Sequence, residues 1–283
     1  MRLARVAATV ALAGLMTTPA MAQDSASAAQ APAPPAPASA PPEAAAPKPY
    51  TITTGLDFTS AYFFRGIRQH SGGTIAQPYV DLGVSMDNGI SFNVGNWDSI
   101  HSSASGGNFY EADYYAAATF TAGKLKPGLL YTSYTSPADS FSTVHELAGV
   151  FTVDDSASPF PLSPKAVLAF ELSDAQADGG AEKGVYLELG IKPGIQLAPK
   201  ATLYIPVKLG LSLKDYYEGA LGNDRFGFYS TGLQLSVPAI SGRSGSLEVH
   251  GGVDFQWLGD NLKFLNEDDG VKPIGLIGFT YTY

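Results

Sequence analysis

The chain has 283 residues, a formal net charge of −9 and no cysteine. The lack of cysteine excludes disulfides, thiolate metal sites and a lipid-bearing cysteine, and the negative charge argues against a nucleic-acid partner. Only 15% of the residues are charged, beside 31 glycines, 15 tyrosines and 15 phenylalanines. We expect neither a cofactor nor a bound metal.

The first 22 residues have the organisation of a secretory signal. Arg2 and Arg5 precede an apolar run, Val6–Met16, which is too short to span a bilayer. Ala20-Met21-Ala22 is a small-residue cleavage site. We therefore predict a signal peptide at residues 1–22, and an uncleaved membrane anchor is the alternative.

Residues 23–49 form a low-complexity segment. They are almost entirely Ala, Pro, Ser and Gln, with eight prolines. Such a composition cannot bury a core, and proline favours the extended polyproline II conformation. We predict a disordered periplasmic linker, and the alternative is an arm that binds a partner or threads the cell wall.

From Tyr50 onward, apolar and polar residues alternate with a period of two in about twelve segments. This period is typical of β-strands. The first segment, Tyr50–Arg65, places Tyr62 and Phe64 on its apolar face and Asp57 and Arg65 on its polar face. The second is expected to begin near Pro78. Asp87-Asn88-Gly89 then has the composition of a tight hairpin turn.

A family resemblance begins within the first strand. Residues Thr59 to Gln69 read T-S-A-Y-F-F-R-G-I-R-Q, which resembles the opening of the TorF family. That family consists of porins predicted in the outer membrane of Gram-negative bacteria. The match continues loosely through Gly72-Gly73, Gln77-Pro78 and residues 89–98. The resemblance implies an outer-membrane β-barrel and supplies no catalytic residues.

The connections between the predicted strands alternate in length. The long ones are expected at residues 65–73, 99–108, 136–143, 174–183, 214–225 and 259–271. Those between them are short, as at 87–89, 122–124 and 197–200, with 154–164 and 238–245 as exceptions. Outer-membrane barrels have long extracellular loops and short periplasmic turns. An even number of strands would place both termini in the periplasm.

The last strand, from about Lys272, alternates up to the carboxyl terminus. Its residues Gly278, Phe279, Tyr281 and Tyr283 resemble the signal by which barrel assembly machinery recognises outer-membrane proteins. An open apolar edge strand would aggregate, whereas in a closed barrel the last strand pairs with the first. We therefore predict an all-β, transmembrane, antiparallel up-and-down barrel at residues 50–283. It would contact outer-membrane lipid and lipopolysaccharide, and its oligomeric state is left open.

The polar face of the strands provides the candidate lining of a pore. These residues are Asp57, Arg65, Asp81, Glu111, Asp113, Glu188, Lys192, Lys208, Glu248, His250 and Asp254. Less regular strands add Glu146 and Glu171 as further acids. Twelve strands lie between a filled eight-stranded barrel and a wide sixteen-stranded channel. We therefore predict a narrow channel for passive diffusion of ions or small solutes. Since acids exceed bases on this face, we expect a preference for cations.

Other interpretations remain open. The main functional alternative is a non-conducting structural or adhesive barrel. Arg65 is either a salt-bridge partner that stiffens the wall or a residue that sets selectivity. His70 and His101 are expected in solvated loops, and the acids at 267–269 form either an acidic loop or a cation site. No enzyme is expected, although a lipid-facing Ser–His pair would indicate one.

Eight aromatic residues are expected in the membrane-interface girdles, namely Tyr62, Phe64, Tyr114, Phe120, Phe255, Trp257, Tyr281 and Tyr283.

Overall fold

A computed structural model describes residues 49–102, 108–219, 222–266 and 270–283. The predicted signal peptide and nearly all of the predicted linker therefore lie outside the described residues. Within those ranges, no helix is long and apolar enough to cross a membrane.

The described chain is built almost entirely of β-strands. The strands are β1 (Tyr50–Phe64), β2 (Ile67–Ser85), β3 (Ile90–His101), β4 (Phe109–Phe120), β5 (Leu125–Thr135), β6 (Val144–Val153), β7 (Lys165–Glu171), β8 (Val185–Ile191), β9 (Gly194–Ala198), β10 (Ala201–Tyr204), β11 (Val207–Lys214), β12 (Glu218–Gly219), β13 (Gly222–Asn223), β14 (Phe226–Gly242), β15 (Gly245–Leu258) and β16 (Val271–Thr282). One short helix, α1 (Asp260–Leu265), precedes β16. Strands β12 and β13 form a small hairpin outside the main sheet.

The main sheet closes into a barrel because β1 pairs with both β2 and β16. Strands β8 and β9 form one wall strand that is interrupted at Pro193, and β10 and β11 form another that is interrupted at Pro206. The pairing register continues unbroken across both interruptions, where proline has no N–H to donate. The wall therefore has twelve antiparallel strands, which confirms the predicted architecture.

The outer face of the wall is apolar. On β3, for example, Phe92 and Val94 are 46% and 53% exposed, whereas Ser91 and Asn93 are buried on the inner face. A closed sheet leaves no backbone edge unpaired, and an apolar exterior suits contact with lipid. A transmembrane barrel requires both features. The alternation confirms the predicted inside-out arrangement.

The two ends of the barrel differ in their connections. Tyr50 and Tyr283 meet at one end, with ring centroids 6.2 Å apart, and we call this the terminal end. Its connections are residues 86–89, 121–124, 199–200 and 243–244, with the predicted longer exception at 154–164. The other predicted exception, a long connection at 238–245, is wrong because β14 continues to Gly242. The opposite, or loop, end carries the longer connections at 102–108, 136–143, 172–184, 215–225 and 259–270.

The first predicted loop, residues 65–73, is wrong. The β1–β2 connection is a two-residue turn, Arg65-Gly66, with φ values of 50° and 82°. Positive φ at both turn residues is characteristic of a type I′ hairpin. Strand β2 therefore begins at Ile67 and is much longer than the alternation indicated.

Register shifts between Thr59 and Ala61, and between Tyr62 and Phe63, change the orientation of side chains near the end of β1. As a result Tyr62 and Phe64 are buried, and their predicted place in a girdle is wrong. Five of the other aromatic residues are exposed, as the girdle prediction requires: Tyr114, Phe120, Phe255, Trp257 and Tyr283. Tyr281 is partly exposed.

Inside the barrel, aromatic rings lie against glycines of neighbouring strands. Tyr79 is paired with Gly55, and Tyr115 is paired with Gly95. A Cβ atom at either glycine would collide with the tyrosine ring that covers it. This cross-strand arrangement lets a large ring lie flat along a curved wall, and it explains part of the high glycine content.

Candidate functional site in the barrel lumen

The tip of the β1–β2 hairpin turns into the lumen at the loop end. Residues 61–66 are all buried, although a hairpin tip normally faces solvent. Arg65 donates two hydrogen bonds to Glu146, with Nη1–Oε2 and Nη2–Oε1 distances of 2.7 and 2.9 Å. Glu146 lies on β6, which is five strands from β1 in a wall of twelve. The tip therefore reaches across the barrel to the opposite wall.

Aromatic rings surround the Arg65 guanidinium. Its carbon lies 4.1 Å from the ring centroid of Tyr186 and 5.0 Å from that of Phe64. Its Nη1 also donates to the Tyr216 hydroxyl at 2.7 Å, and burial raises the pKa of Tyr216 well above its ordinary value. Tyr134 donates to Glu146 Oε1 at 3.3 Å. The buried charge of Arg65 is thus compensated by a carboxylate and by ring faces.

Loops of the same end hold the backbone of the tip. The Tyr217 hydroxyl donates to the Arg65 carbonyl at 3.0 Å, and the Asn266 amide donates to the Gly66 carbonyl at 2.9 Å. Asn266 also accepts a hydrogen bond from the Arg68 N–H at 3.1 Å. Leu262 of α1 is buried next to Gly66. The tip, its salt bridge and these loops therefore pack together inside the barrel at this end.

Acidic side chains line the lumen around the closed tip. Glu111 and Asp113 on β4 lie beside each other and beside Tyr62. Glu171 on β7 accepts hydrogen bonds from the backbone N–H groups of Ala177 and Gly184, both at 2.7 Å. With Glu146, these make four buried carboxyl groups inside the barrel, and Glu146 is the partner of the Arg65 guanidinium.

Three more of the predicted lining residues are paired deeper in the barrel. Asp57 contacts His250, with 2.8 Å between Oδ1 and Nε2. Asp81 accepts hydrogen bonds from the Asn93 amide at 2.6 Å and the Tyr115 hydroxyl at 3.0 Å. These groups are buried and bonded to other lumen residues, so they do not line a water-filled passage in this state.

Solvent reaches charged lumen residues nearer the terminal end. Lys192, Lys208 and Glu248 are half-buried there, and the Lys192 ammonium lies 4.6 Å from the centre of the Tyr204 ring. Glu188 and Asp254 are buried, and Glu188 accepts a hydrogen bond from Tyr186 at 3.1 Å. All eleven predicted lining residues thus face the interior. Most of them are buried, and a smaller group, Lys192, Lys208 and Glu248, is accessible to solvent.

Sequence reasoning did not identify the residues that hold Arg65. Glu146 was predicted only as an additional acid of the inner face, because the strand that carries it has an irregular pattern of apolar and polar residues. Tyr216, Tyr217 and Asn266 lie in long connections, where no periodicity indicates which side chains turn inward. Their contribution depends on contacts with the hairpin tip, which is distant in sequence.

The histidine predictions also need correction. His70 and His101 lie on β2 and β3 rather than in loops. Their rings stack at 4.3 Å, and His101 stacks on Tyr110 at 4.6 Å. Ser99 Oγ lies 2.8 Å from His101 Nε2, but this pair is buried inside the barrel. In the described ranges no group of three or more acids and histidines is arranged to hold a metal ion, and residues 267–269 lie outside them.

At the carboxyl terminus, β16 completes the wall. Tyr281 is opposite Thr54, and Gly278 lies against Asp57, where a Cβ atom would collide with the carboxylate. Phe279 is 41% exposed on the outer face. These positions give the terminal residues structural roles in closing the barrel, and their role as an assembly signal stays a prediction.

A family model described as "Bacterial protein of unknown function" (Gcw_chp) matches residues 43–238. A comparison with curated proteins finds no match. This family model does not bear out the TorF resemblance specifically.

Several solved outer-membrane barrels are similar in structure. The COG4313 outer membrane channel from Pseudomonas putida F1 has 10% identity and a TM-score of 0.47, over 87% of this chain and 100% of that one. The NanC porin has 9% identity and a TM-score of 0.45, over 81% and 98%. The KdgM porin, in complex with disordered oligogalacturonate, has 9% identity and a TM-score of 0.43, over 82% and 99%. For the present chain, the assignment of a barrel fold rests on its own strand pairing.

Proposed function

The chain belongs to this bacterial family of unknown function, and we propose that it is an outer-membrane channel for passive diffusion of ions or small solutes. The observation that carries the proposal is the obstruction inside the charged lumen. The obstruction is a hairpin tip that side-chain contacts and loops hold in place. Such a tip can move without opening the twelve-stranded wall, so a closed and an open state can share one barrel.

We further propose that the open channel prefers cations. Withdrawal of the Arg65 side chain would leave Glu146 without its guanidinium partner, in a lumen whose inner face also carries Glu111, Asp113 and Glu171. Rings of carboxylates favour cations in channels, and selectivity is set at the constriction rather than by the total charge. The lysines Lys192 and Lys208 lie away from this level, so they oppose the preference less than a simple charge count suggests.

Conductance in planar bilayers tests the proposal. We expect the wild-type barrel to be mostly closed and the Arg65→Ala variant to conduct, because its tip has lost the bidentate salt bridge. In a salt gradient, the reversal potential of the variant should show a cation preference that weakens when Glu111 and Asp113 are changed to Gln and Asn. Folded protein of both kinds without conductance would reject the channel, and anion preference would reject the acidic constriction.

A second candidate is the non-conducting structural or adhesive barrel. The observation that favours it is the apolar packing inside the wall, where Leu130, Ala148, Val167 and Ala169 are buried. A lumen that is filled permanently would need no movable tip. Silent bilayer recordings from both wild type and Arg65→Ala would support this alternative.

The remaining assignments complete the proposal. We propose that the termini are periplasmic and that Gly278, Phe279, Tyr281 and Tyr283 are read by the barrel assembly machinery. The apolar wall would contact lipid and lipopolysaccharide, and diffusion requires no catalytic residue. The resemblance of Thr59–Gln69 to the TorF porins agrees with these assignments. A tag within 136–143 should be accessible on intact cells and one within 86–89 should not, and the reverse pattern would invert the orientation.

A further inference from the structure

The pocket that Arg65 occupies has the composition of a binding site for a planar cation. Glu146 presents both carboxylate oxygens to the guanidinium, at 2.7 and 2.9 Å. The Tyr186 ring lies 4.1 Å from the guanidinium carbon, and the Tyr216 ring lies 5.2 Å from it. These three residues come from β6, β8 and the loop after β11, so the pocket belongs to the wall and its loops rather than to the hairpin. We call Glu146, Tyr186 and Tyr216 the cage.

The geometry of the cage selects among cations. Two parallel N–H donors matching two carboxylate oxygens require a guanidinium group, since an ammonium is a point charge without a planar fork. Faces of tyrosine rings add an attraction for any cation, which increases when water is excluded. The hydroxyl of Tyr216 accepts a further hydrogen bond from the same Nη1 atom. The cage should therefore distinguish a guanidinium from an ammonium of equal charge.

We propose that the cage is a binding site for guanidinium-bearing solutes, and that Arg65 is a tethered competitor for it. A side chain on a short tether has a high effective concentration, so free solute binds weakly while Arg65 is in place. When solute occupies the cage, the tip loses its attachment to the opposite wall. This second step, in which the ligand opens the passage, rests on the proposed function, whereas the binding step does not.

Rescue of a vacated cage tests the binding step. Arg65→Ala leaves Glu146 buried without its guanidinium partner, which should lower the midpoint of heat-induced unfolding of the purified barrel in detergent. We expect millimolar methylguanidinium chloride to raise that midpoint by several degrees, because a ligand that binds only the folded state stabilises it. Methylammonium chloride and sodium chloride at equal ionic strength should give little or none of this shift.

Three further variants make the result specific. The double variant Arg65→Ala/Glu146→Gln should lose the methylguanidinium response. Lys126→Ala is the matched control, because it removes the cation of a second ion pair, Lys126–Asp154. In the described residues no aromatic ring contact is found for this pair. It should show no selective response. Arg65→Lys, which retains charge without the fork, provides the same test with a smaller expected shift if Arg65→Ala does not fold.

The outcomes separate this inference from the channel proposal. Equal shifts with methylammonium, or an unchanged response after Glu146→Gln, would overturn the cage. A selective shift together with silent bilayers would retain the cage and reject the channel. If the bilayers conduct and methylguanidinium raises wild-type current several-fold, both steps are supported. Conduction without any selective shift would reject the cage and retain the channel.

Discussion

The two ends of the barrel each carry an ion pair, and the pair at the loop end is the more deeply buried of the two. At the loop end, Arg65 and Glu146 have side chains only 1% and 2% exposed. At the terminal end, Lys126 and Asp154 lie 3.3 Å apart, with side chains 9% and 17% exposed. The first pair joins a hairpin tip to the opposite wall, whereas the second joins a strand to a neighbouring connection.

This difference shows why charge access matters more than charge number. Most of the acids that predicted a cation preference are buried, several of them bonded to partners, and the accessible lumen residues include two lysines. In this state many of the charges counted on the inner face take part in packing contacts. The total charge of that face is therefore a poor guide to permeation. Under the proposed function, selectivity would depend on which carboxylates become exposed when the tip moves.

The largest effect is expected from Glu146→Gln. The substitution leaves the Arg65 guanidinium buried without a counter-charge, and breaking a buried pair in this way costs about 3–5 kcal/mol. Urea unfolding of the barrel in lipid vesicles should measure this loss. The matched control is Asp174→Asn, which removes the exposed Lys183–Asp174 pair and should leave the unfolding free energy unchanged. Equal losses in both variants would contradict the difference between buried and exposed pairs.

A smaller effect is expected where the wall, rather than the tip, is altered. Gly95→Ala would place a methyl group against the Tyr115 ring and the Val80 carbonyl oxygen, and overpacking of this kind costs about 1–3 kcal/mol. The control is Gly242→Ala at the terminal end, where an added Cβ meets no atom within 4 Å. Unfolding free energies in the same vesicles should separate the two variants. An unchanged value for Gly95→Ala would show that the Tyr115 ring and the Val80 backbone can move away without cost.

The sequence predicted the wall well because its signals are local. Period-two alternation reports the two faces of each strand directly, as on β3, where Ser91 and Asn93 turn inward and Phe92 and Val94 turn outward. Turn composition located Asp87-Asn88-Gly89 between β2 and β3. Closure then follows because lipid tolerates no unpaired strand edge.

The site could not be predicted in the same way. The hairpin tip enters the lumen because of two register shifts in β1, and no residue pattern around Thr59–Phe63 distinguishes them from regular alternation. Arg65 and Glu146 are 81 residues apart in the chain. Their contact depends on the diameter of the closed barrel, which no local pattern encodes. The alternatives for Arg65 therefore remained open until the opposite wall was known.

The smallest effect is expected at the terminal end, where the comparison of the two pairs can be sharpened with pH. The Ser156 hydroxyl, the Ser156 N–H and Lys126 stabilise the Asp154 carboxylate and hold its pKa below the ordinary value. A carboxyl group with a lowered pKa in the folded state stabilises the fold above its unfolded pKa of about 3.9, and this contribution is lost as the pH falls through the folded pKa. We expect Asp154→Asn to lower the unfolding free energy at pH 7 by no more than about 1 kcal/mol, since Asp154 lies at the water boundary. Unfolding curves at pH 7 and below pH 4 should show the difference between wild type and variant shrinking with acidification. A difference that persists or grows at low pH would mean that Asp154 acts through packing rather than charge, and the contrast between the two ends would then be one of geometry alone.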